Sequence, residues 1–166
     1  LNATVRRGSL AEASSGELRK RAMDLLARRE HARAELRRKL RERDAPEALL
    51  EETLDGLVAD GLLSDERFVD AFIAQQCSRG KGPVAIEHGL RERGVSGAAL
   101  AAAMASLEAD WCALARRERE KRFGAAPPST PQERARQARF LRGRGFSGEQ
   151  IHRVLGSGAA PDDVAD

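Results

Sequence analysis

The sequence predicts an all-α protein built as a stacked array of three-helix repeats. Three observations predict it. Of 166 residues, 41% are hydrophobic and 33% charged but only 4% aromatic, with no tyrosine, whereas strands draw on β-branched and aromatic side chains. Apolar residues return with the 3.6-residue helical period through most of the chain. A longer pattern returns about every 50 residues: Leu40-Arg41-Glu42-Arg43-Asp44-Ala45-Pro46, Leu90-Arg91-Glu92-Arg93-Gly94-Val95-Ser96 and Leu141-Arg142-Gly143-Arg144-Gly145-Phe146-Ser147. Each copy reads Leu-Arg-x-Arg, a turn residue, an apolar residue and a helix-starting residue. One such unit buries little apolar surface alone, so neighbours are expected to share contacts.

Residues 1–15 carry no lasting period and are expected to be irregular, as is the small, acidic tail 156–166. Repeat one, 16–63, has three apolar stripes: Leu18, Ala22, Leu25 and Leu26; Leu36 and Leu40; Leu50, Leu54, Leu57 and Val58. Gly61 fits the glycine that ends a helix, and Ser64 an N-cap. Ser64 opens repeat two, 64–107, ahead of Phe68, Phe72 and Ile73. Gly80-Lys81-Gly82-Pro83 breaks that helix and places Pro83 in the first turn of the next, with Ile86 and Leu90. Gly94 ends this one, and Ser96 starts a segment with Leu100, Met104 and Leu107. Repeat three, 108–155, opens with a helix from Trp111 to about Phe123. Thr130-Pro131-Gln132-Glu133 and Ser147-Gly148-Glu149-Gln150 both read as capping boxes. Leu36 and Ile86 occupy equivalent positions, and the third copy has Gln137 there.

Net charge is +3, unevenly spread: +7 over residues 1–43, −8 over 44–110 and +4 over 111–166. Arginine outnumbers lysine 25 to 4, and its planar fork matches carboxylates and phosphates. Basic ends around an acidic middle suit a patterned protein surface, or nucleic acid at the ends; solvated helix faces give similar numbers. No aromatic residues interleave with the cations, so a single-strand stacking platform is missing. A DNA-reading helix-turn-helix is disfavoured, because the third helices are acidic (Glu47, Glu51, Glu52) or alanine-rich (98–103).

No apolar run approaches a membrane span, and no signal-peptide core is visible, so a soluble, cytoplasmic protein is expected. Cys77 and Cys112 make neither a disulfide framework nor a zinc site; both read as small packed hydrophobes. His31, His88 and His152 have no acid or nucleophile at a recognisable spacing and read as helix-surface or cap histidines. No enzyme, cofactor or metal is expected. Arg79 and Lys81 flank the Gly80–Gly82 turn, where the backbone is expected to be exposed. Arg139 and Arg142 lie on the helix weakened by Gln137, which is expected to keep surface for a partner. These two pairs are the candidate partner-binding residues.

Several stretches together resemble the RecX family of regulatory proteins. They are Leu25-Leu26-Ala27-Arg28-Arg29-Glu30-His31, Glu35-Leu36-x-x-Lys39-Leu40, Gly61-Leu62-Leu63-x-Asp65-x-Arg67-Phe68 and Phe72-Ile73. Further along come Arg79-Gly80-x-Gly82-Pro83-x-x-Ile86, Arg93-Gly94-Val95, Asp110-Trp111-x-x-Leu114-Ala115 and Phe140-Leu141-x-x-Arg144-Gly145-Phe146. Departures fall in repeat two: Gln76 where the family often has arginine, Gly89 for glutamate, and Lys81 for tyrosine. The resemblance implies tandem three-helix repeats in an elongated, curved body lying in the groove of the RecA–single-stranded-DNA filament. It also implies inhibition of strand exchange, ATP hydrolysis and co-protease activity, by a monomer with at most weak direct DNA binding. A direct nucleic-acid binder acting through its basic terminal repeats is the alternative.

Overall fold

A computed structural model describes residues 15–41, 46–107 and 109–156; most of the two ends expected to be irregular lies outside them. The described residues are helical, without strands. Helix α1 spans 15–26. It is followed by α2 (Arg33–Arg41), α3 (Glu47–Ala59), α4 (Asp65–Ser78), α5 (Pro83–Glu92), α6 (Gly97–Ala105), α7 (Trp111–Phe123), α8 (Pro131–Gly143) and α9 (Gly148–Leu155). The chain packs as two compact units. One comprises residues up to Phe72 with Leu90–Leu100, the other Ile73–Gly89 with the chain from Ala101 onward.

In the first unit the three stripes read from the sequence meet as one core. Leu18, Ala22, Leu36, Leu40, Leu50, Leu54, Leu57 and Leu63 are buried, with Leu25, Leu26 and Leu49 packed against them. Each fully buried leucine is worth about 1.5–3 kcal/mol of transfer free energy. Gly61 ends α3 at φ +68°, which lets the Leu62 and Leu63 amides donate back to the Leu57 carbonyl at 2.9 and 3.0 Å. Leu63 is thereby turned into the core.

The start of α2 has alanine where a capping side chain would stand, and Asp65 of α4 supplies the acceptor: the Arg33 amide donates to its Oδ1 at 2.6 Å. Arg67 two residues on reaches Glu30 at 2.9 Å. Phe68 and Phe72 are buried with ring centroids 5.8 Å apart, and the Arg93 guanidinium lies 4.7 Å above Phe72. Gly94, at φ +88°, abuts Ala34 so closely that a Cβ there would overlap the alanine methyl.

The second unit repeats that close approach with Gly145 against Ala85. Its core is Ala115, Leu141, Phe146, Ile151 and Leu155, covered by Leu114, Ala138, Phe140 and Val154. Ser147 forms the full capping box with Gln150. The other expected box is only half formed. Thr130 accepts from the Glu133 amide at 3.2 Å, but the Glu133 carboxylate reaches Ser129, taking its amide at 2.8 Å and its hydroxyl at 3.0 Å.

Candidate partner-binding surface

Part of the positive charge of the first unit is neutralised internally. Arg33 pairs with Glu51 and Asp55, each at 2.7 Å, and Arg37 pairs with Glu47 and with Glu51 at 2.6 Å. Arg19 takes Asp60 at 2.7 Å. The basic α2 face is thus largely neutralised by the acidic α3.

Among the described residues, other cations carry no ion pair in either unit; in the first these are Lys20, Arg21, Arg28, Arg38 and Arg41. In the second they include Arg79, Lys81, Arg116, Arg122, Arg139 and Arg142. Arg79, Arg139 and Arg142 are exposed and Lys81 is half-buried. Arg139 and Arg142 stand three residues apart, hence on one face of α8.

The environments of the two pairs depart from the sequence expectation. The Gly80–Gly82 turn is not an exposed backbone: both glycines are buried. The Gly82 amide donates to the Arg144 carbonyl at 2.9 Å and the Val84 amide to the Gly145 carbonyl at 3.0 Å. The Arg144 guanidinium donates to the Arg79 carbonyl at 2.8 Å. A contact between residues some 60 positions apart dries the turn, and local sequence carries no sign of it. Nor is α8 poorly packed, since it buries Gln137 and Leu141. Gln137 sits where the repeat calls for an apolar side chain, and its Oε1 is buried without a hydrogen-bond partner. The turn holding Arg79 and Lys81 is therefore docked on the residues that directly follow Arg142.

Two buried charges escaped sequence reasoning because each lies inside a basic run. Glu118 has a side chain only 6% exposed, paired with Arg144 at 3.2 Å, Lys121 at 3.1 Å and Arg117 at 3.6 Å. Arg119 is buried and donates to the carbonyls of Gly124, Ala125 and Ala126 at 3.2, 2.9 and 3.0 Å, closing the turn after α7. Their helical phase was the available signal: both follow Ala115, on the inward stripe of α7.

His31, expected at a helix surface or cap, is also buried. Its Nδ1 lies 3.0 Å from the Arg29 carbonyl and its Nε2 3.1 Å from the Lys39 ammonium. An ammonium only donates, so the imidazole is neutral, with its proton on Nδ1. Burial accordingly lowers its pKa. His88 and His152 are exposed. Cys77 and Cys112 are half-buried free thiols, and burial pushes the Cys77 thiol up, away from the reactive thiolate. No group of residues able to hold a metal occurs among the described residues. No described helix is long and apolar enough to cross a membrane.

Family profiles match three successive segments of the chain: the first RecX three-helix domain over residues 19–57, the second over 64–104 and the third over 108–155. The chain belongs to the RecX family. A regulatory protein RecX of Pseudomonas entomophila strain L48 is 44% identical over 138 residues, covering 83% of this chain and 89% of the relative. The regulatory protein RecX of Halorhodospira halophila is 42% identical over 155 residues, covering 93% and 96%. The crystal structure of RecX from Lactobacillus salivarius shares the fold, with a TM-score of 0.74 at 21% identity over 87% of this chain and 96% of that one. Another RecX crystal structure matches with a TM-score of 0.74 at 19% identity, over 93% and 77%. The all-helical architecture of three three-helix domains is thus a RecX property, and the relatives' name is that of a regulator.

Proposed function

We propose that this RecX protein binds the RecA–single-stranded-DNA filament as a monomer in the cytoplasm and restrains its recombinase, ATPase and co-protease activities. The observation that carries the reading is the run of three RecX domains along one chain, at 42–44% identity to proteins named regulatory protein RecX. Tandem modules facing a polymer of identical protomers gain from multivalency, since each added contact is intramolecular once the first is made. The charge pattern supports an interface in repeat three and its docked turn. Among the described residues, Arg79, Lys81, Arg139 and Arg142 take part in no ion pair within their unit and are left for a partner.

Suppression of DNA-dependent ATP hydrolysis by the cognate RecA tests this. Substoichiometric protein lowers the rate, and the effect survives an excess of free single-stranded DNA. Suppression that vanishes with excess DNA supports the alternative, sequestration of DNA through the basic ends. Arg139→Glu with Arg142→Glu shifts stability by no more than about 0.5 kcal/mol, because both side chains are exposed. The double reversal weakens inhibition, most strongly at low salt. Parental inhibition across a salt series removes α8 from the interface.

A further inference from the structure

Glu118 is a poor choice of residue for a helix face that only has to be solvated. It lies on α7 between Arg117 and Lys121, whose side chains are 54% and 61% exposed. Its own carboxylate is turned inward under the α4–α5 turn, where Gly80 takes φ +71° and a Cβ would overlap the carboxylate. Only glycine allows the turn to come this close. Arg144 completes the arrangement: it pairs with Glu118 at 3.2 Å and donates to the Arg79 carbonyl, and its guanidinium lies 5.2 Å above Phe140. Arg144 is therefore a strut, held on three sides.

Resting on the filament-binding reading above, we infer that Arg79, Lys81, Arg117 and Lys121 form one contact surface for carboxylates of a protein partner, assembled by Glu118 as its positioning residue. Glu118 draws Arg117 and Lys121 toward the turn that carries Arg79 and Lys81. Its charge is already met by Arg144, so the outward cations keep capacity for anions from outside. Arginine forks match carboxylates and phosphates alike, so the choice between them rests on what surrounds the cations. A bare nucleic-acid strand would also call for a ring to stack on. The rings near this end of α7, Phe123 and Phe140, are instead packed edge to face at 5.3 Å, with Arg136 and Arg144 over them.

The test exploits a difference of sign. Glu118→Gln keeps the side-chain volume and an acceptor oxygen but makes the patch more positive. If the patch were only a sum of charges, this variant would bind an anionic partner more tightly. Positioning by Glu118 requires weaker binding, by about tenfold or more, in line with the cost of breaking buried charge pairs. Glu120→Gln adds the same charge at an exposed neighbour and leaves affinity at or above the parent. Arg117→Gln with Lys121→Gln removes the two outward charges while Arg144 still meets Glu118; it lowers affinity with helical content unchanged, so the surface stays testable if Glu118→Gln melts early.

Affinities are read for the assembled filament and for naked single-stranded DNA across a salt series. Parental affinity of Arg79→Glu with Lys81→Glu overturns the placement of this turn in the filament site. Loss in that variant, with Glu118→Gln and Arg117→Gln/Lys121→Gln at parental affinity, overturns the present inference alone. Equal losses and equal salt slopes on naked DNA and filament make the partner a phosphate backbone and overturn the assignment to carboxylates.

Discussion

Replacing Gly82 by alanine places a Cβ 2.5 Å from the Gly145 carbonyl carbon and 2.6 Å from the Phe146 amide nitrogen. Both are backbone atoms, so no side chain can swing aside. Relief requires the α4–α5 turn to lift from the α8–α9 turn, which breaks the hydrogen bonds from the Gly82 and Val84 amides to the Arg144 and Gly145 carbonyls. Each such bond is worth about 0.5–1.5 kcal/mol net. Forcing extra volume into a packed contact adds about 1–3 kcal/mol. The expected cost is thus about 2–6 kcal/mol, a large part of the about 5–15 kcal/mol that holds most domains together. At the centre of the range, about 4 kcal/mol, Tm falls by about 12 °C for a chain of this size. Urea unfolding followed by circular dichroism reads the difference directly. Gly143→Ala is the control: a Cβ at this position of α8 meets nothing within 4 Å, so alanine is neutral or gains about 0.5–1 kcal/mol through helix propensity. Parental stability of Gly82→Ala, or equal shifts in both variants, refutes the docked turn.

Leu90→Ala costs about 2–5 kcal/mol, because Leu90 is fully buried like its equivalent Leu40; a melt matching the parent would show the repeat register to be wrong. Gln137→Leu stabilises by about 1–2 kcal/mol, since it removes a buried carbonyl without a partner; a lower denaturation midpoint contradicts this. Acid destabilises the protein in two steps. His31 has a folded pKa lowered from 6.5, chiefly by burial. Its contribution is complete above that pH and is lost as pH falls through the folded value. Burial pushes the Glu35 carboxyl up, but the Arg29 hydrogen bond and the nearby positive charges, Arg29 and Lys39 among them, together outweigh it and leave the pKa below 4.5. Its contribution is likewise present above 4.5 and lost as pH falls through the folded value. Urea midpoints measured over this range decline, and His31→Gln flattens the first limb; a midpoint independent of pH contradicts the burial of His31.

Helical periodicity exposed what is local. Leu36, Leu40, Ile86, Leu90 and Leu141, aligned from the repeat alone, are all fully buried. Gly61, Gly80, Gly94 and Gly145 take the positive φ that their places at helix ends suggested. The residue patterns Asp65-x-Arg67 and Arg29-Glu30-His31 were visible as motifs, but their work was not. It depends on contacts between elements: Asp65 caps α2, and Arg67 holds Glu30. The same reason hid the burial of Gly82 and Glu118. A basic run looks uniformly solvated by composition; the helical phase from Ala115 marks the inward members, and the approach of the α4–α5 turn covers Glu118. Arg79, Arg139 and Arg142 are exposed, but the reasons that singled them out, an exposed turn and a poorly packed helix, do not hold; the covering of Glu118, beside Arg117 and Lys121, by that turn was not legible at all.

Equilibrium binding of the labelled protein to three targets at one salt concentration tests the central claim most directly: free single-stranded DNA, free RecA and the assembled RecA–DNA filament. Recognition of a repeating protein surface predicts that the filament binds at least about tenfold more tightly than either component, a margin of about 1.4 kcal/mol. Equal affinity for the naked strand and for the filament would contradict the account and leave a general nucleic-acid binder in its place.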